Sequence, residues 1–366
     1  MIKKTIVYPY SRSFAAYLRH INCNKLYNVT EAVIPGRWWK DNEDAGGIDG
    51  GEKIGIPIRY GFEDCLNQCD TVIWASYEYY DNKAFYDTVL SKIEKALELG
   101  KNIVCFEELT KKELQLFKEK AAANNCLFIY KENEKYPGSD DGAQKPIDVP
   151  IITVTGLTEE CSKFDTELNV YRALSAKGYR VLLISSKTNA NLLNIYSFPS
   201  FMFSPKRSEM GKMRLLRSYI AHLQQKVSPD VIVLGVPGGL LPFNDQYDMH
   251  YGIIAYEVFS VLKTDYNVVN VWCDVLDSLI IDKIPDICRY RYGMNVNAIG
   301  VSNISLYLEG LQDEQSTLEY SVYDSDMVDK TIAFTNKESN SLKMYNLVKN
   351  DSVDKLVDDI IISLSE

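Results

Sequence analysis

Between Val149 and Lys177 the chain reads VPIITVTGLTEECSKFDTELNVYRALSAK, and no other stretch constrains its fold as tightly. An apolar run, Ile151 to Val154, leads into Gly156. A loop then reaches Lys163 at the head of an amphipathic helix with Leu168, Tyr171 and Leu174 on its apolar face. A buried strand, a tight turn and a helix N-terminus aimed at an anion make up the layout of a phosphate-binding loop. Gly156 lets the backbone turn without a side chain, and Lys163 stands where a first-turn lysine reaches phosphate. The departures are equally specific. Ser162 stands where a glycine usually precedes the lysine, Phe164 replaces the magnesium-binding Ser or Thr, and Glu159 and Glu160 bring negative charge into the loop. Thr158 and Thr166 are the candidate replacement hydroxyls. A strand–glycine–helix corner is also how any doubly wound fold turns, but that leaves the lysine unexplained. A cation at a helix N-terminus opposes the helix dipole and calls for a compensating anion, either a ligand phosphate or Glu159 or Glu160.

The rest of the chain alternates short apolar runs with helical patterns. In the first part, strands are expected at Thr5–Tyr8, Thr30–Ile34, Thr71–Ala75, Asn102–Phe106 and Leu127–Tyr130, with helices between them. Leu99-Gly100 reads as a helix C-cap. In the second part, strands are expected at Ile151–Thr155, Val181–Ser185, Val231–Gly235, Val268–Trp272, Ala298–Val301 and Thr331–Phe334, with a last one at Lys343–Leu347 and a terminal helix at Ser352–Ser365. Strands separated by helices of this length point to βαβ units and parallel sheets. The fold class is therefore α/β, with two doubly wound, mostly parallel-sheet domains, the second P-loop NTPase-like: 1–130, a linker at 131–148, and 149–366. The run from Gly36 to Gly55, GRWWKDNEDAGGIDGGEKIG, is long for a loop and reads as disordered or as a flap, with Trp38 and Trp39 favouring a flap that docks.

Around the loop, several residues carry chemistry by position. The segment SPDVIVLGVPGG ends its strand in Gly235, without Asp or Glu, and continues through a turn at Gly238 and Gly239 in the crevice where α/β sheets bind ligands. Asp274, after the strand Val268–Trp272, is a candidate metal carboxylate or a cap for the next helix. Asn303 stands where related folds contact a base, or starts a helix with Ser302. Asp245, Asp248 and His250 form a loop cluster read as a metal or base site, or simply as polar loop. Cys161, beside a helix N-terminus and Lys163, is expected to have a lowered pKa. Ser11 is a candidate N-cap, with Arg12 facing an anion or solvent. Ser76, Glu78 and Asp81 follow the third strand on its ligand side.

Composition narrows the remaining options. A net charge of −10 over 366 residues opposes nucleic-acid or anionic-membrane binding. No run reaches the roughly 18 apolar residues of a membrane span, and the N-terminus lacks a signal-type apolar stretch, so a cytoplasmic location is expected. Eight scattered cysteines without a CxxC do not form a disulfide framework.

Through Gly156…Lys163, the run Gly235-Val236-Pro237-Gly238-Gly239-Leu240-Leu241-Pro242 and the order of its elements, the chain resembles the peptide maturation system proteins. These have a Rossmann-like N-terminal half and a dethiobiotin-synthetase-like P-loop C-terminal half, and are encoded beside small cysteine-rich natural-product peptides and radical-SAM enzymes. The resemblance implies an accessory role in maturing a ribosomally made peptide, with a precursor peptide and a radical-SAM maturase as partners. Its nucleotide would be ATP or GTP with Mg, held at Gly156, Thr158, Ser162, Lys163, Thr166, Gly235, Gly238 and Gly239. Two alternatives stay open. One is a P-loop ATP-dependent ligase or kinase-like enzyme in which Asp274 or Thr166 serves the metal; the other is a nucleotide-free scaffold for a partner enzyme.

Overall fold

The computed structural model describes residues 4–36, 39–76, 83–131, 136, 146–243, 252–276, 278–307, 319–338 and 342–365. The chain divides into two compact units, Met1–Glu132 and Asn133–Glu366. The clusters at Glu78 and Asp81, at Asp245, Asp248 and His250, and most of the expected linker lie outside the described residues.

In the first unit the elements follow as β1 (Lys4–Tyr8), α1 (Ala15–Cys23), β2 (Asn28–Val33), β3 (Ile58–Arg59), α2 (Phe62–Gln68), β4 (Thr71–Trp74), α3 (Lys83–Glu98), β5 (Asn102–Cys105), α4 (Lys111–Ala123) and β6 (Phe128–Ile129). All six strands are parallel, in the order β3-β2-β1-β4-β5-β6. This is the doubly wound Rossmann order, whose direction reverses between β1 and β4. β4 is buried along its whole length, as parallel strands covered on both faces require. Local chemistry fixes the helix ends. α3 closes in a Schellman motif: Gly100, at φ 70°, donates to the Leu97 carbonyl (2.9 Å) and Lys101 to that of Ala96 (3.0 Å). α4 starts with a capping box, in which Thr110 accepts from the Glu113 N–H (3.3 Å) and Glu113 from the Thr110 N–H (2.8 Å). Ser11 does not cap a helix. It precedes a 3-10 turn at Arg12–Phe14, and its hydroxyl pairs with that of Ser13 (2.8 Å).

The expectation of a disordered segment at 36–55 is overturned for residues 39–55, which pack within the first unit. The Asp44 carboxylate gathers the N–H groups of Gly46 (2.8 Å), Ile54 (2.9 Å) and Gly55 (2.7 Å). Arg19 on α1 pairs with Asp49, Asn22 on α1 donates to the Ile54 carbonyl (3.1 Å), and Ala45 and Ile48 are buried. One carboxylate closing three backbone bonds holds a glycine-rich loop that propensity alone would leave open.

The second unit runs β7 (Ile151–Gly156), α5 (Lys163–Ala176), β8 (Val181–Ser185), β9 (Tyr196–Ser197), α6 (Glu209–Val227), β10 (Val231–Gly235), α7 (Ile253–Val261), β11 (Tyr266–Trp272), α8 (Ser278–Ile281), α9 (Ile284–Tyr292), β12 (Ala298–Ser302), β13 (Ile304–Leu306), β14 (Tyr320–Val322), α10 (Ser325–Glu338), β15 (Lys343–Asn346) and α11 (Asn350–Ser365). Its seven parallel strands are ordered β15-β12-β11-β7-β10-β8-β9, and β13 and β14 form a separate antiparallel pair. From β7 the chain moves out to β8 and β9, returns to β10, and then crosses to β11 on the other side of β7. The carboxyl ends of β10, β7 and β11 thus form a topological switch point, the ligand position of such sheets.

Two expectations fail here. Thr331–Phe334 is not a strand but part of α10, because Val328, Ile332 and Thr335 follow a helical spacing that turns them inward while Phe334 stays exposed. Ser302 and Asn303 start no helix. They turn the chain from β12 into β13, with the Asn303 amide donating to the Tyr323 carbonyl (3.2 Å). Among the described residues no helix is long and apolar enough to cross a membrane.

Candidate phosphate site in the second unit

β7 is fully buried and central, so the loop that follows it emerges at the middle of the sheet's carboxyl edge. Gly156 pairs with Asn270 of β11, and the Leu157 N–H donates to the Asn270 carbonyl (2.8 Å). A Cβ on Gly156 would meet the Thr158 carbonyl and the Lys163 side chain, so only glycine fits this turn. Glu160 and Ser162 both adopt left-handed backbone, with φ of 56° and 55°. For non-glycine residues this costs about 1–2 kcal/mol each. Alternation of this kind turns successive N–H groups toward one side of a loop.

Lys163 opens α5, and its ammonium donates to the Gly238 carbonyl. Burial pushes its pKa down from the ordinary lysine range, and the nearby Glu159 carboxylate opposes that shift. The turn after β10 lies directly on the loop: Leu240 N–H donates to Gly156 (2.9 Å) and Leu241 N–H to Leu157 (2.7 Å). A Cβ on Gly239 would come within 2.8 Å of the Thr158 Cα, so glycine there allows the two backbones to touch. The structure therefore brings Gly156, Thr158, Ser162, Lys163, Gly235, Gly238 and Gly239 together.

The candidate metal ligands are less free. The Thr166 hydroxyl is buried behind the loop, donating to the Ser162 carbonyl (3.1 Å) and accepting from the Asn270 amide (2.8 Å). Thr158 turns its hydroxyl toward the Glu159 carbonyl (3.2 Å) and the Cys161 sulfur (3.3 Å). The Ser162 hydroxyl meets that of Ser302 (2.8 Å). Asp274 is exposed in a 3-10 turn just past β11 and accepts the Ser305 hydroxyl. It neither caps a helix nor sits in the loop. Cys161 departs from its expected activation. Burial outweighs the hydrogen bonds with Thr158 and the charge of Lys163, and pushes its thiol up to about 11.

Two residues of the site escaped the sequence reading. Asn270, fully buried in β11, anchors the loop by donating to the Cys161 carbonyl (2.9 Å) as well as to Thr166. Glu167, fully buried on α5, accepts from the Ser186 N–H (3.0 Å) just past β8. Burial raises its pKa, partly offset by hydrogen bonds from Ser185 and Ser186 and by the charge of Lys163. The signals were an amide inside the apolar strand YNVVNVW and an acid one helical turn after Lys163 on the inward face of α5.

No protein-family model matches the sequence, and comparison with curated proteins finds no match. Among solved structures, the chain is similar to a DUF1611 family protein from Anabaena variabilis, at 12% identity and a TM-score of 0.64, covering 98% of this chain and 99% of that one. Weaker matches include a putative plasmid partition protein from Borrelia burgdorferi bound to AMPPNP (12% identity, TM-score 0.37, 59% of this chain and 98% of that one). Another is a cobyrinic acid a,c-diamide synthase from Mycobacterium smegmatis with bound ADP and magnesium (12% identity, TM-score 0.35, 58% and 94%). The likeness to the DUF1611 family protein is one of fold: an α/β protein with a six-stranded parallel sheet in Rossmann order and a seven-stranded parallel sheet.

Proposed function

We propose that the second unit binds a nucleotide or another phosphate ester at residues 156–163. One observation carries this reading: the backbone N–H groups of Glu159, Cys161, Ser162 and Lys163 meet no acceptor among the described residues, at the head of a helix that also bears an ammonium. Unpaired donors at a helix N-terminus are satisfied by an anion, and phosphate fits that geometry. Among the described residues the Lys163 ammonium hydrogen-bonds to one neutral carbonyl, that of Gly238, and an arriving phosphate is the stronger acceptor. The engaged hydroxyls of Thr158 and Thr166 favour binding over turnover through those two groups.

Thermal denaturation with ATP, GTP and Mg tests this. At a hundredfold excess over Kd, a ligand selective for the folded state stabilises it by ~2.7 kcal/mol. That corresponds to a rise of about 5–10 °C in the transition of this unit. The rise is expected to vanish in Lys163→Ala, and its absence in the wild type with every nucleotide sinks the reading. A role in maturing a ribosomally made peptide, with a precursor peptide and a radical-SAM maturase as partners, is supported by the sequence resemblance alone. Co-purification with each partner, in the presence and absence of nucleotide, is its test. A cytoplasmic location belongs to the same proposal.

A further inference from the structure

β10 ends in Gly235, at the place where P-loop proteins commonly present a carboxylate to the metal of the bound nucleotide. Another element brings a carboxylate to that place. We propose that Glu167, on α5, supplies to the divalent cation of a bound nucleotide the carboxylate that position 235 lacks. The proposal rests on the phosphate-loop reading above and extends it.

A Cβ built on Gly235 would overlap Cδ and Oε1 of Glu167, so the Glu167 carboxyl occupies the root of the missing side chain. Oε2 is held by the Ser186 N–H, whereas Oε1 is fully buried without a hydrogen-bond partner among the described residues. A buried carboxylate with one unmet oxygen is costly until something meets it. Glu167 also lies one helical turn from Lys163, on the same side of α5, and the two charges interact. A hard cation that is bound by one carboxylate plus substrate phosphates, as Mg often is, fits this donor set. The alternative is that Glu167 only balances the charge of Lys163.

The sign of the metal effect separates the two. A carboxylate beside the phosphates repels bare nucleotide and attracts the metal complex. Calorimetric titration of the full chain with ATP, in MgCl2 and in EDTA, is therefore expected to show wild type binding the Mg complex at least about tenfold more tightly, an increment of the size typical for a metal-site contact. Glu167→Gln, which keeps the shape, is expected to lose that increment while binding bare ATP as well or better. An unchanged increment in Glu167→Gln overturns the proposal. So does a wild type that binds both forms equally, an outcome that leaves the phosphate loop standing. A wild type that binds neither form removes the phosphate-loop reading and this proposal with it. Fe2+-directed backbone cleavage of the ATP-bound wild type gives a readout without any variant. Cuts at Glu167, Ser186 and Gly235 are expected, and cuts confined elsewhere overturn the assignment.

Discussion

A methyl group at position 235 would be driven against the Glu167 carboxyl and the Ser186 backbone nitrogen. Overpacking of this kind costs about 1–3 kcal/mol, and Gly235→Ala is expected at the upper end because one of the clashing atoms is backbone. Denaturant titration measures it. Gly47→Ala in the first unit, where a Cβ meets nothing within 4 Å, serves as the silent comparison. At this scale the sequence was legible where a residue type answers a backbone need. Gly156 and Gly239 were recognisable because only a missing side chain permits their turns. It was not legible where depth decides. Cys161 reads as an activated thiol from its neighbours in the chain, yet burial pushes it the other way, to about 11. Glu167 escapes notice in the sequence because an acid on a helix is usually solvated, and only the fold shows it buried against Gly235 and Ser186.

Among elements, the loop at 39–55 depends on one side chain more than on its glycines. Asp44→Ala removes the acceptor of three backbone N–H groups. The expected outcome is a loss of about 1–3 kcal/mol, with faster hydrogen exchange at the amides of Gly46, Ile54 and Gly55. Protection unchanged at those amides would show that the loop is held from elsewhere. The long helices and buried strands announce themselves by periodicity and caps, and the Leu99-Gly100 stop is a clear instance. Two-residue strands such as β3 and β9 are too short to show any period. Thr331–Phe334 misleads because a β-branched and aromatic run fits a strand until Val328 and Thr335 are counted with it.

For the molecule as a whole, sheet order was beyond the sequence, since nothing in β10 itself states that it returns between β8 and β7. The parallel α/β class was legible because helix-length spacers leave strands few other ways to pair. Stability against pH is likewise a property of the assembled fold. Glu257 on α7 is 2% exposed, facing Glu209 and Lys212 of α6. Burial first, and the Glu209 carboxyl next, push it up to about 8, with Lys212 opposing. A carboxyl whose pKa is raised on folding contributes stability that is complete below the ordinary carboxylate range and is lost as pH rises through about 8. Glu209, whose pKa is lowered by the same contacts, acts in the opposite direction at acid pH. Stability is expected to fall as pH rises from the ordinary carboxylate range to about 8, by at most ~1.4 kcal/mol per pH unit, and to level off above that. Glu257→Gln is expected to flatten the decline, and an equally steep decline in that variant would assign it to other groups.

The bond from Lys163 to the Gly238 carbonyl has one further consequence. The protein carries a tethered rival for its own lysine, and dilution never lowers that rival's local concentration. An anion bound there as proposed would have to win that exchange, so its apparent affinity would scale with the fraction of molecules whose ammonium is released. Each exchange also loosens one of the ties that hold the 235–241 turn to the loop. If the loop takes the anion proposed above, its occupancy would reach the adjacent strand through that turn, and a reporter placed there would sense the ligand without touching it.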